Sequence, residues 1–257
     1  MKQVTDQAAL SAAISACFRP GMTTNCTLSG DTLRELVDRG ALLSHRWPGG
    51  LLLAVRQEDS FCLYYYLTDP AIAPAPLWPD SVVLEIPHRP RDGGGSLAFW
   101  EALGFVPVFT RLRLQRPADS RSSEPLPPPD PVEPEEADEL LHCCFDYRTA
   151  FLPSREELAG ESRSGCLLTR RDEAGQLCAI LRALPGRRIV ELRQLAARPD
   201  CQGQGLADSL AREFVRRFGG GLTQVWVRED FPAPRHIYEK NGFRPDGWTS
   251  DVLIRKG

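Results

Sequence analysis

Residues 197–207, Ala-Arg-Pro-Asp-Cys-Gln-Gly-Gln-Gly-Leu-Ala, constrain the fold more than any other stretch of the chain. An apolar, β-type run over 189–197 enters the segment, and a helical pattern over 208–218 leaves it. A strand, a glycine-bearing turn and a helix start aim several backbone N–H groups at one point, where the helix dipole adds partial positive charge. That combination suits a phosphate or pyrophosphate. Glycine lets a ligand approach the main chain closely, and Ala207 keeps the first helical turn free of bulk. A Walker loop is excluded because no Lys-Ser/Thr follows, and a dinucleotide fingerprint because its third glycine is missing. What remains is Gln202-x-x-Gly205-x-Ala207, with Pro199 three residues ahead of Gln202.

This pattern resembles the acetyl-coenzyme A loop of the GNAT N-acetyltransferase superfamily. The resemblance extends downstream: a strand-like run over 222–227 and a proline-punctuated loop precede His236-Ile-Tyr-Glu-Lys-Asn-Gly-Phe243. Tyr238 followed four residues later by Gly242-Phe243 is the superfamily's second hallmark, and Asn241-Gly242 reads locally as a helix C-terminus.

Composition sets outer limits. The chain has 257 residues, 42% hydrophobic and 25% charged, as an ordinary globular protein of one large or two small domains would. A net charge of −3 argues against a general nucleic-acid surface. No run approaches the roughly 18 apolar residues a membrane helix needs. The eight cysteines show no metal-ligand spacing, so no metal is expected; free buried thiols in a reducing cytoplasm are. Ile14-Ser-Ala-Cys17 mimics a lipoprotein cleavage box, but Asp6 and the Ala/Ser-rich run favour an ordinary first helix.

Residues 117–134, rich in proline, serine and acids, read as an extended linker between domains at 1–116 and 135–257. The two halves look related. Phe99-Trp-Glu-Ala-Leu-Gly-Phe105 matches Ile237-Tyr-Glu-Lys-Asn-Gly-Phe243, and both are preceded by a β-type run and followed by a strand-like tail. Helices are expected near 5–18 and 31–39 and strands near 51–56 and 61–68; helical material over 135–158 then precedes strands near 165–170, 177–184 and 188–196. The fold class is therefore α/β (α+β): two GNAT-like units, each a mixed, mostly antiparallel sheet flanked by helices.

The first unit reads as degenerate. Where its cofactor loop belongs, residues 68–81 contain four prolines and no glycine, and proline lacks the N–H that a phosphate cradle needs. Trp100 stands in the place of Tyr238, and an indole is no phenolic acid. Arg89-Pro-Arg-Asp-Gly-Gly-Gly95 reads as a flexible connection, with an anion site as its alternative.

The resemblance implies acetyl-CoA as co-substrate. Backbone N–H groups of Leu195, Ala196 and Ala197 would bind the pantetheine arm and thioester, and Gln202, Gly203, Gln204, Gly205, Leu206 and Ala207 the pyrophosphate. It makes Tyr238 the general acid toward the coenzyme A thiolate, against a core aromatic with a satisfied hydroxyl. Glu191, six residues before Ala197, is the candidate base; its alternative is a strand residue salt-bridged to Arg193 or a neighbour. Glu229 and Asp230 are rival bases. Phe231 occupies a position where many family members carry asparagine, which puts one pantetheine contact in doubt. His236 reads as helix surface and the Tyr64–Tyr66 run as core.

The function implied is direct transfer of an acetyl group to an amine, in the second half alone. A non-catalytic acyl-CoA-binding module is the competing reading. The acceptor is a small-molecule or peptide amine that no motif identifies; the acidic stretch 133–139 reads as helix-start solvation. Neither nucleic acid nor membrane is an expected partner, and an internal pseudo-dimer would leave the chain monomeric.

Overall fold

The computed structural model describes residues 1–57, 60–79, 81–89, 95–119 and 126–256. Residues 90–94 of the arginine–glycine stretch and 120–125 of the linker lie outside that description. The chain divides into two compact units, Met1–Thr110 with Thr249–Gly257, and Arg111–Trp248. These do not follow the sequence halves on either side of the linker.

The first half contains β1 (Lys2–Gln3), α1 (Gln7–Ser15), β2 (Thr23–Thr24), α2 (Gly30–Asp38), β3 (Leu42–Trp47), β4 (Gly50–Arg56), β5 (Phe61–Leu67), β6 (Ser81–His88), α3 (Gly95–Ala102) and β7 (Val106–Arg116). The second contains α4 (Pro134–Cys144), α5 (Tyr147–Ala150), α6 (Arg155–Arg163), β8 (Leu167–Arg171), β9 (Leu177–Pro185) and β10 (Ile189–Ala197). It continues with α7 (Leu206–Phe218), β11 (Leu222–Arg228), α8 (Pro232–Lys240) and β12 (Arg244–Lys256).

Within the first unit, strands run in the order β1–β3–β4–β5–β6, closed by the end of β12, with Thr249–Lys256 paired to Ser81–His88. All its strand pairs are antiparallel except β5 with β6. Within the second, the order is β7–β11–β10–β9–β8, antiparallel except β10 with β11. The strand after each Gly-Phe motif therefore completes the sheet of the other unit. This mostly antiparallel mixed sheet with flanking helices is the expected fold class.

Local chemistry explains most element boundaries. Asp6, the charge that spoils a leader, caps α1 by accepting from the Ala9 N–H at 3.0 Å. Ser154 and Glu157 form a capping box that starts α6. The helical material expected over 135–158 is instead three helices, with Pro153 and the Ser154 cap separating α5 from α6. The proline-punctuated loop before Tyr238 is also helical: Pro232 opens α8 and Pro234 follows in its first turn, where a missing N–H costs nothing. Strand β3 escapes the sequence pattern, since Leu42-Leu-Ser-His-Arg-Trp47 does not alternate, and pairing with β4 supplies what periodicity lacks.

The internal repeat is visible in backbone detail. Phe105 N–H donates to the Trp100 carbonyl and Phe243 N–H to the Tyr238 carbonyl, each at 3.1 Å. Gly104 and Gly242 have φ of 85° and 88°. Trp100 and Phe105 pack edge-on at 5.5 Å, as Tyr238 and Phe243 do at 6.0 Å. The parallel pairs differ in their crossovers. Helix α7 joins β10 to β11, whereas no helix joins β5 to β6 among the described residues of the proline-filled segment.

The second unit buries two apolar layers against its sheet. Leu192, Val225 and Val227 meet Leu210 and Phe214 of α7 and Tyr238 of α8 on one face. Ile180 and Ala196 meet Leu140, Leu141 and Leu158 of α4 and α6 on the other. These layers hold the strand–turn–helix segment in place.

Candidate functional site

The segment after β10 runs through a 3-10 turn (Pro199–Cys201) into two glycines and α7. Gly203 and Gly205 have φ of 80° and 75°, and a Cβ at either would meet nothing within 4 Å. Conformation, not crowding, therefore demands glycine there. Gly205 caps α7 without any side-chain hydrogen bond. The first bond closing the helix is Ser209 N–H to the Gly205 carbonyl at 3.0 Å, so the amides of residues 203–208 have no acceptor among the described residues. They lie at the positive end of a 13-residue helix, beside two glycines whose surroundings are open.

Surrounding groups fix the loop. Gln202 Nε2 donates to the Ala197 carbonyl at 3.2 Å, tying the turn back to the strand. Arg198 bonds Asp200 at 2.6 Å and Asp172 at 3.3 Å. Lys240 and Asn241, at the end of α8, both donate to Asp208 in the first turn of α7 at 3.1 Å. Burial pushes the Asp208 carboxyl up, but those donors outweigh it and hold it below its ordinary value.

Strand β10 changes partners along its length. It pairs with β11 only over Ile189–Leu192, and its ladder with β9 slips between Leu192 and Gln194. Beyond the slip, no strand pairs with the edge on the β11 side among the described residues. Hydrogen-bonding groups alternate between edges along an antiparallel strand. Arg198 N–H donates to the Cys178 carbonyl at 2.8 Å, so Ala196 and Gln194 share the β9 edge. Leu195 and Ala197 face the open edge, and the Ala197 carbonyl also meets the Cys144 thiol there at 3.5 Å. By this alternation the Ala196 amide turns toward β9, while those of Leu195 and Ala197 face the edge that runs into the glycine loop.

Tyr238 is 4% exposed, and its hydroxyl has no protein partner among the described residues. Burial pushes the phenol up, so it stays protonated at neutral pH. Glu191 lies in register with Gln224 on the sheet face opposite Leu192 and Tyr238. Arg193 donates to one of its oxygens at 2.8 Å and Gln224 Nε2 to the other at 3.2 Å, as the salt-bridged alternative anticipates. Both rivals are exposed, and Arg228 holds the Asp230 carboxyl below its ordinary value. His236 is exposed, Phe231 is the N-cap of α8, and Tyr65 and Tyr66 are core.

The sequence reading missed a buried polar clasp behind the strand. Arg182 is bound by both oxygens of Glu161 at 2.6 Å and donates to Gln194 Oε1 at 3.2 Å. Gln194 Nε2 in turn donates to the Ala150 carbonyl at 2.9 Å. Phe151 follows with φ of 50° and its ring near the guanidiniums of Arg111 and Arg193. The signal lay in the run Leu177-Cys-Ala-Ile-Leu-Arg-Ala-Leu184, where a single arginine interrupts seven apolar residues. No cluster of groups able to hold a metal occurs among the described residues, and no helix among them is long and apolar enough to cross a membrane.

A strand that parts from its neighbour, a glycine turn with unpaired amides and a buried phenol thus lie along one stretch of chain. Residues 162–245 match the family described as Acetyltransferase (GNAT) domain, so the chain carries a GNAT domain that includes this whole segment. The fold is similar to a GCN5-related N-acetyltransferase from Sphaerobacter thermophilus, with TM-score 0.57, 15% identity and coverage of 99% of this chain and 94% of that one. It is also similar to a GNAT-family acetyltransferase from Colwellia psychrerythraea, with TM-score 0.56, 12% identity and coverage of 100% and 99%. A tandem GNAT protein from the clavulanic acid biosynthesis pathway aligns with TM-score 0.53, 13% identity and coverage of 97% and 94%. No curated protein matches the chain.

Proposed function

We propose that the chain is a tandem GNAT protein with one working site, an N-acetyltransferase that uses acetyl-CoA and acts from its second unit. The observation that carries this reading is the set of unpaired amides over 203–208, beside two left-handed glycines whose surroundings are open. Those amides fit a pyrophosphate, whose oxygens accept from main-chain N–H and gain from the helix dipole. The open edge at Leu195 and Ala197 fits the amides of a pantetheine arm and a thioester oxygen. No helix joins β5 to β6 among the described residues of the first unit, and Trp100 stands where Tyr238 does, so that unit serves as scaffold.

The chain's own groups divide the chemistry by face. Glu191 takes a proton from the acceptor ammonium, and its Arg193 partner holds the carboxylate in place. The neutral amine attacks the thioester carbon, the C–S bond breaks, the phenol of Tyr238 gives its proton to the departing sulfur, and the nitrogen sheds its second proton to solvent, which reprotonates the phenolate. Acid and base on opposite faces of β10 allow one direct transfer without a covalent enzyme intermediate.

The test is coenzyme A release with a panel of small-molecule and peptide amines. Tyr238→Phe should retain acetyl-CoA affinity and lose about 10²- to 10⁴-fold in turnover. Full turnover in that variant overturns the role of Tyr238. Tight acetyl-CoA binding with no turnover on any amine favours the non-catalytic module instead.

A further inference from the structure

Cys178 and Cys201 lie far apart in sequence yet meet beneath the glycine loop, with their sulfurs 2.7 Å apart. Cys178 sits on β9, where its carbonyl holds the Arg198 N–H, and Cys201 ends the 3-10 turn that leads into Gln202 and Gly203. Both are buried free thiols. A disulfide needs about 2.04 Å between sulfurs, so the pair must close by less than one ångström, and neither strand nor turn has to move far.

We propose that Cys178 and Cys201 are an oxidation site: a low-molecular-weight disulfide converts the two thiols into a cross-link that staples the glycine loop to β9. Two S–H bonds break and one S–S bond forms. The oxidant's own S–S bond takes up the two electrons and two protons and leaves as two thiols. The exchange passes through a mixed disulfide at one cysteine, which the other displaces. Burial pushes the Cys178 thiol up to about 11, so that group rests as a thiol and its exchange quickens as pH rises. Because the sulfurs already touch, the cross-link preserves the cradle, and it stabilises the fold by restricting the unfolded chain.

The bond itself stands independently of acetyl transfer; only its effect on acetyl-CoA binding rests on that reading. The test incubates the full chain with oxidised glutathione and maps non-reduced peptides by mass. A Cys178–Cys201 peptide lighter by two hydrogens is expected. With it should come a higher melting temperature that dithiothreitol reverses, and an unchanged acetyl-CoA Kd. A Cys143→Ser chain, which cannot form the neighbouring 143–144 bond, should behave alike. Absence of the 178–201 peptide, or a cross-linked chain that melts no higher, overturns the proposal. Loss of acetyl-CoA binding on oxidation alone overturns the claim that the cradle is preserved. If neither redox form binds acetyl-CoA while the peptide forms, the functional reading fails and the oxidation site stands.

Discussion

Replacing Gly205 by alanine separates a backbone-defined anion cradle from an ordinary turn. Its φ of 75° lies in the left-handed region, where a Cβ costs about 1–2 kcal/mol. Nothing lies within 4 Å of the added methyl, so backbone strain is the whole of that cost. Alanine also stiffens the unfolded chain, which offsets about 0.4–1 kcal/mol. Gly220→Ala is the matched control: its surroundings are equally open and its φ lies outside the left-handed region, so it keeps the offset without the strain. Gly205→Ala should therefore melt below Gly220→Ala by roughly 2–8 °C, at about 2–4 °C per kcal/mol for a domain of this size. If the loop relaxes to escape the strain, the amides over 203–208 turn away from their common point. Losing one hydrogen bond to a charged phosphate costs about 1.5–3 kcal/mol, roughly a 10- to 100-fold weaker acetyl-CoA Kd. Scanning fluorimetry and calorimetric titration read the two effects. Equal melting temperatures and equal Kd values for the two variants would refute the reasoning.

Other perturbations probe the neighbouring groups. Tyr238→Phe should leave the melting temperature unchanged, because the hydroxyl has no protein partner among the described residues; a marked drop would mean a structural bond. Glu191→Gln should change stability by less than about 1 kcal/mol, as suits a partly exposed ion pair, yet lower turnover by about 10²- to 10⁴-fold; unaltered turnover would move the base elsewhere. Arg182→Met should cost about 3–5 kcal/mol by leaving Glu161 without its buried partner, measured by urea unfolding; a neutral result would make the clasp dispensable. Glu213, bridged by Arg170 and Arg217, is pushed up by burial but held below its ordinary value by those arginines. A carboxyl depressed in the fold adds stability that is complete above its unfolded value, about 4.3, and fades as pH falls through the folded value. Glu213→Gln should therefore flatten the loss of stability below about pH 4, and an identical acid titration would contradict the assignment.

Local signals were the legible ones. The strand–turn–helix around Gly205 could be read because each step has its own residue chemistry: an apolar run, glycines able to take positive φ, then an amphipathic helix. The Gly-Phe repeat was legible for the same reason, down to the aromatic five residues ahead. Non-local facts were not. The exchange of terminal strands between units leaves no mark in periodicity, since β7 and β12 read as strands whichever sheet they join. The slip near Arg193 depends on pairing, so the separation of Ala196 from Leu195 and Ala197 could not be foreseen. For Glu191 the salt bridge to nearby Arg193 could be anticipated, but not the bond from Gln224, which spans two strands. Pro232 and Pro234 looked like breakers, and only their place in a first helical turn makes them helical.

The central claim, that the amide ring over 203–208 is a coenzyme A cradle, is tested most directly by calorimetric titration of the full chain with acetyl-CoA, ATP and NAD in turn. The account predicts one saturable acetyl-CoA site, weakened by Gly205→Ala and spared by Gly220→Ala, with no comparable heat from the other two ligands. Absence of acetyl-CoA binding, or equal binding of ATP, would contradict it.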